Sequence, residues 1–326
     1  MTSSFTISLD FELRWGIRDN PNEDAYADAI LGGRRAIPQM LQAFEDHGVA
    51  ATWATVGFLF AETREELLSQ LPATRPDYAN PHFSPYDDVL NRVGQGEADD
   101  PLHYGLSLIR QIEDTPGQEI GSHSFSHFYC LEEGATTEAF AADMAAAQSI
   151  AQSKGITTQS LVLPRNQQSE GHLIAARQAG ITVFRGTPEV AFYQPRARAD
   201  ERRHWRALRL LDSAVPLTST LATPAHDVTS DLVNTPASRF LRPLRSTSSL
   251  MAKAQRRRIK GEMTRAARQG KNYHLWWHPH NFGRATEANM ENLRAILRHF
   301  VSLRDSHGMQ AMTMLDLAQS VSTSKR

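Results

Sequence analysis

The chain has a single cysteine, Cys130, among its 326 residues. An internal disulfide framework is therefore excluded, and a reducing compartment fits. It also lacks an excess of either charge: 35 Lys and Arg against 36 Asp and Glu leave a formal net charge of −1. A general nucleic-acid binder needs a basic surplus to neutralise phosphates, so that class is set aside. No window approaches the roughly 18 uninterrupted apolar residues of a membrane-spanning helix. The opening Met-Thr-Ser-Ser-Phe5 shows neither the basic n-region nor the apolar h-region of a signal peptide. These absences point to a cytoplasmic protein. What is present, 40% hydrophobic and 22% charged residues, suffices for a full core. The length suits one α/β barrel.

Short apolar runs alternate with longer amphipathic stretches, the pattern of parallel β/α units. Strands are predicted at Phe5–Leu9, Ala51–Val56, Glu119–Ser122, Leu161–Leu163, Ile181–Phe184, His274–Trp277 and Met309–Met314. Helical patterns cover Ala36–His47, Glu138–Lys154, Glu170–Ala179 and Asn289–His307. Gly48, Gly155, Gly180, Gly270 and Gly308 each stand a few residues before a strand, where a glycine ends a helix. About seven strands result, a barrel with helices outside. Two regions break the rhythm: 62–117, rich in proline and acids, and 186–270, which ends in a basic helical run containing Arg256-Arg-Arg-Ile-Lys260. Residues 1–326 are read as one catalytic domain carrying these two regions as insertions.

The polar residues that stand out follow the strands. Asp10 and Glu12 close the first, His123 and His127 follow the third, Pro164-Arg165-Asn166-Gln167 follows the fourth, and His278 closes the sixth. In a parallel barrel, active-site side chains emerge from these C-terminal strand ends. Asp10 and Glu12 are two apart, so extended backbone points both the same way and Phe11 the other. A helical turn after the third strand would place His123 and His127 on one face. One carboxylate and two imidazoles make a divalent-metal site with open positions, a site type that activates water. The run His274-Leu-Trp-Trp-His-Pro-His280 offers two acids, His278 at the strand end and His280 beyond it. Trp15, Trp276 and Trp277 could stack on a sugar ring, although tryptophan is more often buried. His172, His204, His226, His299 and His307 are assigned to structure.

The ordered set of strand-end Asp10, His123-Ser-Phe-Ser-His127, the Pro164-Arg165 motif and Leu275-Trp-Trp-His278 resembles the polysaccharide deacetylase superfamily (NodB-homology, carbohydrate esterase family 4). The resemblance runs from Phe5 to Leu317 and matches the two insertions only loosely. It implies a distorted (β/α)7 barrel binding one divalent ion, zinc first, with cobalt, manganese or nickel as alternatives. It makes Asp10 the catalytic base, Glu12, His123 and His127 the metal ligands, Arg165 the arginine that holds the base, and His278 the acid. Trp15, Trp276, His280 and Asn166 are the candidates for substrate binding. The sequence departs from the commonest pattern in three places. Phe11 stands where a second aspartate usually follows the base, with Glu12 as the replacement ligand. Pro164 precedes Arg165. No Asp-x-x-Asp-Trp motif is found, and Arg185 and Gly186 stand near its place.

The implied activity is hydrolysis of an N-acyl, first of all N-acetyl, group on an amino sugar or glycan, within cytoplasmic steps of surface-polysaccharide assembly. Two alternatives keep the barrel: an allantoinase-like hydrolase of a small cyclic amide, and a non-catalytic carbohydrate-binding module. The basic run at 256–260 fits a solvated helix face, a phosphate clamp or a contact with anionic membrane. A homo-oligomer remains open.

Overall fold

The computed structural model describes residues 2–20, 22–223, 227–229 and 232–324; His226 lies outside them. The strands are β1 (Ser4–Phe11), β2 (Ala51–Thr55), β3 (Gln118–Ser122), β4 (Ser160–Leu161), β5 (Val183–Phe184), β6 (Asp227–Thr229), β7 (Leu232–Asn234), β8 (Arg239–Phe240), β9 (Asn272–Trp277) and β10 (Gln310–Ala311). The α-helices are α1 (Ala27–His47), α2 (Arg64–Ser69), α3 (Asp88–Arg92), α4 (Leu106–Glu113), α5 (Thr137–Ser153), α6 (Glu170–Gln178), α7 (Arg203–Asp212), α8 (Leu250–Gln269), α9 (Thr286–His307) and α10 (Met314–Ser324). The five glycines read as helix ends all have positive φ, between 60° and 90°, a conformation that costs glycine little.

The strands run β7-β5-β4-β3-β2-β1-β9-β8, all parallel. β6 pairs antiparallel with β7, and β10 pairs parallel with the start of β1. The chain from β7 to β8 belongs to both ends of this path. Ala237 N–H donates to Gly186 O at 2.9 Å on the β5 side, and Ser238 N–H donates to His274 O at 2.7 Å on the β9 side. Leu232–Phe240 is therefore one stave in two halves, completing a distorted (β/α)7 barrel.

This stave lies inside 186–270, a region expected to be an insertion. That region also supplies α8, whose Ile259, Met263 and Ala266 join the main core. β1 shows the period of two that aims the site. Phe5, Ile7, Leu9 and Phe11 pack into the core around the barrel. Thr6 and Ser8 bond Asn272 and His274 across to β9. The same alternation carries Asp10 and then Glu12 inward at the strand's C-terminal end. No helix among the described residues is long and apolar enough to cross a membrane.

Candidate metal and hydrolytic site

Asp10 is buried, and Arg185 grips it from β5: Nη1 to Oδ1 at 2.6 Å and Nη2 to Oδ2 at 2.9 Å. Burial alone would push the Asp10 pKa up, but the guanidinium and the nearby His123 and His278 hold it below the ordinary carboxylate value. A cation at this range favours the ionised form. Arg185 is itself placed by Ser8 Oγ at 3.0 Å and by Asn166 Oδ1 at 3.1 Å, and it lies 4.2 Å from the Trp276 ring centre. Ser8 in turn meets His274 Nε2 at 2.8 Å, while His274 Nδ1 donates to Thr235 O at 2.9 Å. The order of these groups shows that Ser8 donates to His274. Burial, joined by the Arg185 charge, lowers the His274 pKa to about 3, so the ring is neutral.

Beside this pair, Glu12, His123 and His127 form a cluster in which one donor atom from each lies within 4.8 Å of the others. His123 Nδ1 sits 2.7 Å from the Val162 carbonyl, which only accepts, so Nδ1 carries a proton and in the neutral ring Nε2 carries a lone pair. That lone pair faces Glu12 Oε2 at 3.4 Å. Two acceptors held this close and buried need a cation or a proton between them. His127 Nε2 lies 3.0 Å from the same oxygen. The donor chemistry, one carboxylate and two imidazoles, therefore fits a divalent metal. One neighbour departs from the usual support of a metal-bound histidine, whose second nitrogen donates to an acceptor. His127 Nδ1 instead faces Arg18 Nη1 at 3.2 Å, a group that only donates. Burial pushes up the Glu12 pKa, but the His278 charge and the imidazole contacts overrule it and hold the carboxyl well below its ordinary value.

Local chain geometry builds this cluster differently from the helical turn expected after the third strand. Residues 123–130 form a loop, with Ser124 and His127 at φ 61° and 57°. Buried Asp143 of α5 fastens it, accepting from Phe125 N at 2.7 Å, from Ser126 N at 3.1 Å and from the Ser126 hydroxyl. Those bonds take the amides a helix would need, so the two imidazoles converge through the loop rather than through a helical face. Burial raises the Asp143 pKa to about 6 even against these donors. Neither serine hydroxyl turns to the cluster, for Ser124 Oγ accepts from Phe128 N. Gly16 gives Glu12 its place: a Cβ there would overlap the Glu12 carboxylate.

His278 stands next to both carboxylates. Its Nε2 is 3.7 Å from both Asp10 Oδ2 and Glu12 Oε1. Asn281 Nδ2 approaches its Nδ1 at 3.4 Å. His280 is buried, its Nδ1 4.0 Å from Glu12 Oε1, and burial with the neighbouring His278 lowers its pKa to about 4. A cavity of about 510 Å³ opens from His278, Trp276, Phe240 and Asn166. Trp276 and Asn166 thus line the opening, as a substrate contact must. Two residues do not take their expected places. Arg165 turns away from Asp10 to pair with Asp19 and, at 3.3 Å, with Glu132. With φ 55° in the turn after β4, its side chain leaves the barrel axis, and Arg185 takes the position beside the base. Trp15 is fully buried, its Nε1 donating to His103 O at 2.8 Å, so its ring is closed to a ligand. Arg185 and Asp143 carry no local sequence signal beyond the place of Arg185 near the absent Asp-x-x-Asp-Trp motif.

No protein-family model matches the sequence, and no curated protein matches it. Solved structures do resemble the fold. A candidate polysaccharide deacetylase from Mycobacterium smegmatis aligns at TM-score 0.62 and 14% identity, covering 100% of this chain and 92% of its own. Puue allantoinase aligns at TM-score 0.54 and 11% identity, covering 97% and 88%. A GH57-type branching enzyme from Pyrococcus horikoshii aligns at TM-score 0.53 and 12% identity, covering 98% and 70%. At such identities the likeness concerns the fold alone. The chain shares its barrel fold with these structures.

Proposed function

We propose that this protein is a metal-dependent hydrolase that removes an N-acyl group, first of all N-acetyl, from a carbohydrate or sugar-linked intermediate of surface-polysaccharide assembly. One observation carries the reading: a buried carboxylate held ionised by an arginine, with a histidine 3.7 Å away, stands beside a cluster of one carboxylate and two imidazoles. A binding module needs no base and acid at that spacing. Glu12, His123 and His127 would hold the ion, which when bound polarises a carbonyl and makes water acidic near neutral pH.

The chain's own groups do the rest. Asp10, kept ionised by Arg185, accepts the proton of the attacking water. The same arginine fixes both carboxylate oxygens, so the lone pair that receives the proton stays aimed at the site. His278 gives a proton to the departing nitrogen, and Asn281 at Nδ1 leaves Nε2 to face the reacting centre. Trp276, which lines the cavity, is the aromatic contact for a sugar ring. Asn166 holds Arg185 in place, and His280 narrows the site on the Glu12 side.

The experiment is acetate release from a panel of N-acetylated sugars by protein loaded with zinc, cobalt, manganese or nickel. Turnover by the parent, lost in Asp10→Asn with metal retained, supports the reading. No release from any member by the loaded protein sinks it. The charged lining of the cavity favours one second reading, hydrolysis of a small cyclic amide; allantoin and hydantoin in the same panel discriminate it.

A further inference from the structure

The cavity beside His278 is lined by seven arginines and one carboxylate, Glu201. Most of this charge is matched. Arg165 and Arg198 share Asp19, Arg209 pairs with Glu201 and Arg206 approaches it at 3.8 Å, and Arg239 is locked between Asp212 and Glu262. Two arginines have no carboxylate partner among the described residues. Arg196 lies 4.7 Å from the Trp205 ring centre and bonds only the carbonyls of Gln194 and Ala191. Arg242 packs on Phe240 with its Nε buried and without a hydrogen-bond partner. A buried guanidinium donor left unmade costs more than a bond repays, and it stands in the same cavity as another unmatched cation. The complement is an anion with several acceptor oxygens, which the guanidinium fork fits.

Resting on the reading of this site as a carbohydrate deacylase, we propose that its substrate carries a phosphate ester, which Arg242 and Arg196 bind while the N-acyl group reaches His278. The basic run at 256–260 is not this clamp. Arg258 is buried against Asp212 and Glu262, and Arg256 bonds Asn292. The cavity, at about 510 Å³, has room for a sugar and its phosphate. A neutral polymer would leave the two guanidinium groups unmatched. The ester could be borne by a soluble carrier or by a lipid, and the chemistry at the arginines is the same.

The test is calorimetric binding to metal-loaded Asp10→Asn protein, so that turnover is not needed. N-acetylglucosamine phosphate should bind at least ~100-fold more tightly than N-acetylglucosamine, as two charge-assisted contacts provide. Glycerol phosphate should likewise outbind glycerol. Arg242→Gln and Arg196→Gln should each remove about tenfold of the difference, while Arg257→Gln on α8 leaves it unchanged. Sedimentation with phosphatidylcholine vesicles containing phosphatidic acid, lost in Arg242→Gln, assigns a lipid-borne ester; phosphate binding without sedimentation assigns a soluble one. Equal affinity for the phosphorylated and neutral compounds, no effect of either substitution, or equal binding of glucuronate overturns the proposal. Phosphate-dependent binding in a protein that releases no acetate leaves it standing and removes only the deacylase reading.

Discussion

Arg185 holds both oxygens of Asp10, at 2.6 and 2.9 Å, across 175 residues of sequence. The pair joins β5 to β1 through the barrel interior and decides the charge state of the base. Replacing Arg185 by Met should lower kcat/KM by about a hundredfold or more. With the cation gone the Asp10 pKa rises, so the acid limb of the pH–rate profile should move upward by about 1–3 units. Arg185→Lys should recover only part, because an ammonium cannot grip both oxygens. Metal content should not change. An unshifted acid limb in Arg185→Met would remove Asp10 from the role of base.

Glu12 owes its position to the missing side chain at Gly16. Gly16→Ala should therefore cost metal affinity by about tenfold or more, as loss of an outer-shell support does. Glu12→Gln should cost at least as much. Metal stoichiometry after dialysis, measured by elemental analysis, decides this. Full occupancy in both variants would place the ion elsewhere.

Acid should destabilise the protein through its buried neutral histidines. The His274 pKa is lowered to about 3 from an unfolded value near 6.5. Its contribution is fully present above about pH 6.5 and is lost as pH falls toward 3, because the unfolded chain then binds the extra proton. The loss attributable to His274 is on the order of 5 kcal/mol at the acid end. His127 and His280, both near 4, act in the same direction. Urea unfolding at neutral and acid pH should show a shallower pH dependence for His274→Gln than for the parent. A parallel dependence would mean that the ring is not neutral when buried.

Arg239 and Arg258 share Asp212 and Glu262 in a buried ion network under the cavity. Glu262→Gln should destabilise by about 3–5 kcal/mol, since it strands part of two buried cations. The double replacement Arg239→Met with Glu262→Leu should lose less than the two single changes together. Thermal unfolding of the four proteins closes the cycle. Additive losses would show that the pair is not coupled.

Much of the barrel was legible because buried parallel strands read as short apolar runs, most of them approached by a glycine that ends the preceding helix. The stave Leu232–Phe240 was not. Its sequence Leu-Val-Asn-Thr-Pro-Ala-Ser-Arg-Phe mixes polar residues and a proline, because each half pairs on a different side. At the site, Asp10, Glu12, His123, His127 and His278 stand out locally, since each follows an apolar run. Arg185 does not, for its partner lies on β1 and only the closing of the barrel brings them together. Asp143 sits inside a helix whose pattern says nothing of the loop it fastens. Arg165 was misplaced because a motif match cannot tell which way a left-handed turn sends its side chain.

β1 is the first strand of the chain and a central one, flanked by β2 on one side and by β9 on the other. Its Ser4 pairs with Asn272 and its Leu9 with Trp277. During synthesis the strand can pair with β2 early, but its other edge stays open until more than two hundred further residues have left the ribosome. An open apolar strand edge invites association with other chains. The nascent protein therefore has a long interval in which a chaperone, or the ribosome surface itself, must shield β1. Aggregation during expression should depend on elongation rate more than on the stability of the finished barrel.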